Sequence, residues 1–174
     1  MSTPLSPSLE LPNVIFLFGL AGVGKNFCGT ILARRLGYFF YDLDLDATPA
    51  MKQAIEDGRS FTDEIRDEFF KVVCARMSEV KKQNPRIIFA QGAYKERHRA
   101  QVRNAHPGVE FVWIDAPDEL IVGRLRGRAG QVSSVYASSI RVHFEAPPSG
   151  IGLINDSPSE DDVVTRFIEF FDPK

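Results

Sequence analysis

The chain has 174 residues, 44% apolar and 25% charged, the proportions of an ordinary globular domain. That length suits one domain with a sizeable core. A net charge of −2 gives no electrostatic case for nucleic acid as a main partner, and no apolar stretch is long enough to span a membrane. The two cysteines, Cys28 and Cys74, form neither a disulfide framework nor a metal pair, which suits a reducing, cytoplasmic setting. The fourteen phenylalanines fall where strands and amphipathic helices are expected, so they read as core.

Residues 1–12 hold three prolines and three serines without periodicity and read as a disordered tail. Glu10, and the lack of Lys or Arg before the apolar run, argue against a secretory leader. One domain is expected from 13 to 174. Asn13–Phe18 is a continuous apolar run that suits a central parallel strand buried on both faces. A helix is predicted from Lys25 to Leu36, with its apolar face at Phe27, Ile31, Leu32 and Leu36 and Gly37 as its stop.

Tyr38–Asp42 reads as a second strand, and Pro49 can open a helix that runs to Asp57 and closes at Gly58. Thr62 is a candidate N-cap for a long helix to Gln83, and Arg86–Ala90 is a third strand. A basic helix is predicted over Tyr94–Asn104, a fourth strand over Val109–Asp115 and a helix over Pro117–Arg126. A further helix is expected over Ser133–Glu145, a fifth strand over Gly152–Asn155 and an amphipathic helix over Glu160–Phe171. Alternating strands and helices imply a parallel sheet with right-handed crossovers, in which ligands sit at the carboxyl ends of the strands. The long helix to Gln83 or the phenylalanine-rich C-terminus could supply a homodimer face.

The strongest motif is Gly19-Leu20-Ala21-Gly22-Val23-Gly24-Lys25-Asn26, which lies where a strand must turn into a helix. It is a P-loop, complete except that Asn26 stands where a Ser or Thr hydroxyl would bind Mg²⁺. Its glycines let backbone N–H groups close around phosphate oxygens, and Lys25 supplies a mobile charge at the helix N-terminus. Contacts to a nucleotide are expected from Gly19, Ala21, Gly22, Val23, Gly24, Lys25, Asn26 and Phe27.

Asp42 and Asp44, two apart at the end of an extended segment, are expected to point the same way. Phosphoryl transfer needs one carboxylate for the metal and another to orient or deprotonate the acceptor hydroxyl. Asp42 suits the first role and Asp44 the second; Asp46 is less well placed. Arg124, Arg126 and Arg128 flank a glycine-containing link and could close over a triphosphate as a flap, Arg124 and Arg128 above all. Lys95, Arg99 and Arg103 share one helical face that could hold an anionic acceptor. Gln91 and Gly92 fall at the end of the third strand, and Asp115 at the end of the fourth. The histidines have no metal-like spacing.

The chain resembles the gluconokinase-type small-molecule kinases from residue 13 to 171. The P-loop, Leu36-Gly37 with Asp42-x-Asp44, Gly58 and Asp63-x-x-Arg66 follow that pattern. So do Ala93-x-Lys95-x-x-x-Arg99-x-x-x-Arg103, Arg124-Leu125-x-x-Arg128-x-Gly130 and Phe144-Glu145-x-Pro147. Shikimate kinases are similar over the first third, but they usually carry a glycine triplet where this chain reads Gln91-Gly92-Ala93.

The resemblance implies an α/β P-loop kinase sandwich of three layers, with a five-stranded parallel sheet, a helical substrate-binding insert and a small lid over roughly 124–146. It implies ATP, Mg²⁺ and a sugar-acid acceptor. Asp44, Asp63, Arg66, Gly92, Lys95 and Arg99 would then face the acceptor, and Arg124 and Arg128 the triphosphate. The adenine would lie near Arg124 and Ser157-Pro158. The chain departs from the family at Asn26, Ala47, Met51, Glu68-Phe69 and Gln131. Shikimate kinase-like activity is one alternative. A nucleotide-binding sensor or scaffold that no longer transfers phosphate is another, and a nucleoside monophosphate kinase is a third.

Overall fold

The computed structural model describes residues 10–126 and 141–172. The expected tail up to residue 9, most of the expected lid with Arg128, and most of the helix expected over 133–145 lie outside the described residues. Five strands form one parallel sheet: β1 (Val14–Phe18), β2 (Phe39–Asp42), β3 (Ile87–Ala90), β4 (Val109–Asp115) and β5 (Leu153–Ile154). Their order is β2-β3-β1-β4-β5, so the strand that feeds the P-loop is central. The helices are α1 (Lys25–Leu36), α2 (Pro49–Glu56), α3 (Asp63–Gln83), α4 (Glu96–Ala105), α5 (Asp118–Arg126) and α6 (Glu160–Phe171). The α/β class and the five-stranded parallel sheet are as expected.

Alternation along β1 builds two cores, because successive side chains point to opposite faces. Ile15 and Leu17 join Ile88, Val112 and Ile114 against Leu32 of α1 and Phe167 of α6. Phe16 and Phe18 join Phe89, Phe69, Val73 and Met77 on the face covered by α3 and α4. Phe16 stacks on Phe111 of the neighbouring strand, with centroids 4.9 Å apart. Phenylalanines therefore supply much of the second core, whereas Phe27 and Phe39 remain exposed.

The helix ends follow local chemistry. Thr48, Thr62 and Ser159 each accept a backbone N–H in the first turn of α2, α3 and α6. Gly37 closes α1 in a left-handed conformation, φ 74°, with its N–H on the Ala33 carbonyl. The buried stripe of α1 differs from the predicted one: Cys28, Gly29, Ile31, Leu32 and Ala33 are buried, while Phe27 faces solvent. The reason is Gly29, whose missing side chain admits the Phe40 ring against the helix. Burial pushes the Cys28 thiol up to about 12, so it stays protonated at neutral pH.

His98 is a core group that stacks on Phe70 at 4.3 Å with Nε2 2.7 Å from Asp67. Met51 and Phe69, two of the positions that depart from the family pattern, are buried in the second core. The outward residues of α3 include Glu64, Glu68, Lys71 and Glu79.

A Cβ at Gly29 would lie 2.2 Å from the Phe40 ring. Gly29→Ala is therefore expected to destabilise the fold by about 1–3 kcal/mol, as overpacking does. Urea unfolding measures this, and an unchanged midpoint would contradict the packing described.

Candidate active site

The turn from Gly19 to Lys25 joins β1 to α1 and is held from behind by three side chains. Lys25 Nζ donates to the carbonyls of Gly19 (3.1 Å) and Leu20 (2.9 Å). Arg124 Nη1 donates to those of Gly22 (3.3 Å) and Val23 (3.1 Å), and its Nη2 to Asn155 O (3.1 Å). Asn155 Nδ2 donates to Val23 O at 2.8 Å. Gly24 has φ 93°, and a Cβ there would lie 2.2 Å from Asn155 Nδ2, so the close approach and the left-handed backbone both require glycine. A Cβ at Gly19 would collide with Ile114 O of β4 at 2.2 Å.

Arg124 was expected on a flap. Instead it belongs to α5, a helix packed on the core through Ile121 and Leu125, and its guanidinium is tied to the turn's carbonyls. Arg128, its expected companion, lies outside the described residues. Ser157 and Pro158 follow β5, beside Asn155, and Arg166 fixes that loop through Ile154 O and the Asp156 carboxylate, both at 2.5 Å.

Asp42 and Asp44 do come to the sheet edge, but not by strand alternation. The chain leaves β2 into a 3-10 turn, Leu43–Asp46, and Asp42 caps it by accepting the Asp44 N–H at 2.9 Å. The second Asp42 oxygen accepts a hydrogen bond from the Asn26 amide. Asn26 and Asp42, the two metal candidates, are thus in contact across sixteen residues of chain.

A divalent cation fits this pair by donor chemistry. A carboxylate and an amide carbonyl are hard oxygens, and Mg²⁺ takes only one or two protein ligands when phosphates and water complete its shell. The Asn26 amide nitrogen faces Asp42, and its carbonyl oxygen has no hydrogen bond among the described residues. No group of three or more His, Cys, Asp or Glu suited to a metal occurs among the described residues.

Asp44 Oδ1 accepts a hydrogen bond at 2.6 Å from Gln91 Nε2 at the end of β3. Asp44 is exposed as a residue, but its carboxyl is crowded by protein atoms beside the turn; that partial desolvation raises its pKa, while Lys25 pulls it down and Asp42 pushes it further up. Asp46 is a structural group, held by Arg76 Nε (2.7 Å) and Tyr41 OH (3.0 Å).

In the first turn of α3, the Arg66 guanidinium lies 5.4 Å from the ring centroids of both Phe61 and Tyr94, and no carboxylate among the described residues pairs with it. Asp63 pairs with Arg97 at 3.3 Å. Gly92 lies against Tyr94, whose hydroxyl would be 2.9 Å from a Cβ there. Lys95 precedes α4 and reaches Glu145 at 3.2 Å.

Arg99 was expected to face the acceptor. It is 1% exposed, over the Phe18 ring at 4.8 Å, and donates to Ala93 O (2.7 Å), Glu145 O (2.5 Å) and Glu96 Oε2 (3.0 Å). Its position on α4 turns it inward, where it ties that helix to Ala93 and Glu145. Arg103 likewise pairs with Glu96.

Asn155 is the residue that motif reading missed. It is buried, and its Oδ1 has no hydrogen-bond partner among the described residues. The only sequence signal was its place at the carboxyl end of the last strand.

This fold and this turn define the class: a P-loop α/β protein built like the small-molecule kinases. Residues 14–146 match the AAA_33 family of AAA domains, and the chain belongs to that family. It is similar to a gluconokinase of Gluconobacter oxydans, 29% identical over 68% of this chain and 67% of that one. It is also similar to the thermosensitive gluconokinase of Escherichia coli, 29% identical over 75% of this chain and 68% of that one. A shikimate kinase of Nostoc punctiforme is 33% identical over 64% of this chain, a match that spans only 59% of that relative's length. Among solved structures, a gluconokinase from Sinorhizobium meliloti superposes with a TM-score of 0.75 at 21% identity, covering 93% of each chain. A sugar kinase from Janibacter superposes at 0.76 and 24% identity, covering 93% of this chain and 95% of that one.

Because Asp44 titrates higher in the folded than in the unfolded chain, its contribution to stability is present below the unfolded aspartate value, about 3.9, and is lost as pH rises through the folded value. Asp44→Asn should therefore melt at a higher temperature than the wild type at neutral pH. The difference should shrink toward zero at pH 3 to 4. Thermal melts at the two pH values test this, and equal melting temperatures at neutral pH would contradict it.

Proposed function

We propose that this protein uses ATP to phosphorylate a hydroxyl of a small anionic metabolite of the sugar-acid class. The observation that carries the reading is Asp44, held by Gln91 beside Lys25 at the mouth of the P-loop. Its raised pKa suits a carboxylate that takes a proton during the reaction. The gluconokinase relatives support the sugar-acid class.

In the proposed reaction the acceptor hydroxyl oxygen attacks the γ-phosphorus in line. The bond from that phosphorus to the β–γ bridging oxygen breaks, ADP leaves, and the hydroxyl proton passes to Asp44. The backbone N–H groups of Gly22, Val23 and Gly24, with Lys25, would hold the β- and γ-phosphates. Asn26 and Asp42 would hold Mg²⁺, which when bound offsets charge on the phosphates. Phe27, Arg124, Ser157 and Pro158 would lie toward the nucleoside, and Arg128 over the triphosphate. Arg66 and Lys95 would bind the acceptor's carboxylate, with Asp63 and Gly92 shaping its pocket. Arg66 supports this through a guanidinium that stacks on aromatic rings and has no carboxylate partner among the described residues.

No helix of the described residues is long and apolar enough to cross a membrane, and Cys28 and Cys74 are free thiols. Both observations support a place in the cytoplasm. Shikimate kinase-like activity is a second reading, favoured by the 33% identical stretch. A module without transfer activity is not favoured, because the relatives are kinases.

An ADP-release screen over sugar acids, shikimate, polyols and nucleoside monophosphates, beside calorimetric ATP binding, should give turnover on a sugar acid. Tight ATP binding with no turnover on any acceptor would overturn the kinase reading. Asp44→Asn should lower kcat by about a hundredfold or more, the scale of a lost general base, with ATP affinity retained. Asn26→Ser should tighten the apparent Mg²⁺ affinity or raise turnover; if both stay unchanged, Asn26 has no metal role.

A further inference from the structure

The helix α4 starts without a local cap. Lys95 occupies the N-cap position and makes no side-chain capping bond. The cap comes from a residue 49 positions away: Glu145 Oε2 accepts the Glu96 N–H at 2.6 Å. The other oxygen, Oε1, accepts from Lys95 Nζ at 3.2 Å. One carboxylate therefore neutralises the positive end of α4 and fixes the direction of the lysine that precedes it.

Glu145 is itself held at both ends of its backbone. Its N–H donates to Tyr94 O at 2.9 Å, and its carbonyl accepts from the buried Arg99 guanidinium at 2.5 Å. The preceding Phe144 is packed against Phe18, Trp113 and Tyr94, with centroids 6.2, 5.0 and 6.4 Å away. Phe18 is the last residue of β1, immediately before the P-loop. The Glu145 carboxyl titrates below the ordinary glutamate value, first because of the Glu96 N–H and then because of Lys95.

We infer that Glu145 is a positioning residue for the acceptor: it caps α4, fixes the direction of Lys95 and registers that lysine against the end of β1. This rests on the reading of Lys95 as an acceptor contact. A lysine stem left without this partner spreads over many rotamers, so the loss should fall on acceptor binding. ATP binds at the other end of β1's turn, and its affinity should not depend on Glu145.

The test compares wild type, Glu145→Ala and Glu145→Gln by steady-state kinetics and by amide hydrogen exchange at Glu96. Glu145→Ala should raise the acceptor KM about tenfold, the effect of one charge-assisted contact, and leave the ATP KM within about twofold. Glu145→Gln, whose amide oxygen can still accept the Glu96 N–H, should fall in between. Exchange at the Glu96 amide should be slow in the wild type, fast in Glu145→Ala and partly slowed in Glu145→Gln.

A general loss of structure would move both KM values or the active fraction together, and that result would overturn the inference. Equal exchange at Glu96 in all three proteins would overturn it whatever the turnover. A wild type that turns over an acceptor, with both variants unchanged in acceptor KM, would overturn this inference alone. A wild type that turns over nothing removes the kinase reading, and the role of Lys95 with it.

Discussion

A phosphate-binding turn has to keep its N–H groups available, so its own carbonyls need partners from elsewhere. In this protein those partners are Lys25, Arg124 and Asn155, which between them hold the carbonyls of Gly19, Leu20, Gly22 and Val23. Much of the architecture follows from that need. The helix α5 must bring Arg124 behind the turn, and β5 must end where Asn155 can reach Val23. Gly24 must lack a side chain because the Asn155 amide occupies the space. The loop that holds Ser157 and Pro158 is set beside the P-loop by the same contact.

The second face of the sheet answers a different requirement. The rings of Phe18, at the end of β1, and Phe144 lie 4.8 and 6.0 Å from the Arg99 guanidinium, which is buried yet satisfied by two carbonyls and a carboxylate. A buried cation of this kind costs stability unless every donor finds a partner. Here the partners are Ala93 after β3, Glu145, and Glu96 on α4, so Arg99 links three separate segments of the chain.

On the proposed reading, Asp44 carries a tension between stability and chemistry at one residue. Its carboxylate lies among protein atoms that disfavour its charge, with Gln91 as hydrogen-bond donor and Lys25 as the nearby compensating cation. A proton acceptor needs a raised pKa, and that same shift makes the ionised form a burden on the fold at neutral pH. Asn26 and Asp42, in contact a few residues away, are the hard-oxygen pair on which a cation could sit.

The sequence by itself determined the elements that depend on local signals. Glycine at the ends of α1, threonine caps, alternating strands and helices, and the glycine-rich turn gave the α/β class, the strand count and the position of the P-loop. Local patterning also brought Asp42 and Asp44 to the correct edge, although for the wrong reason: the 3-10 turn after β2, not strand alternation, carries Asp44 toward Gln91. Helical spacing grouped Lys95, Arg99 and Arg103 on one face. Only tertiary packing decided that Arg99 turns inward and that Arg124 backs the P-loop from a core helix. The contacts that Asn155 and Glu145 make were unreadable for the same reason. Their partners, Val23 and Glu96, lie 132 and 49 residues away, and no local pattern encodes a contact that exists only after the sheet has formed.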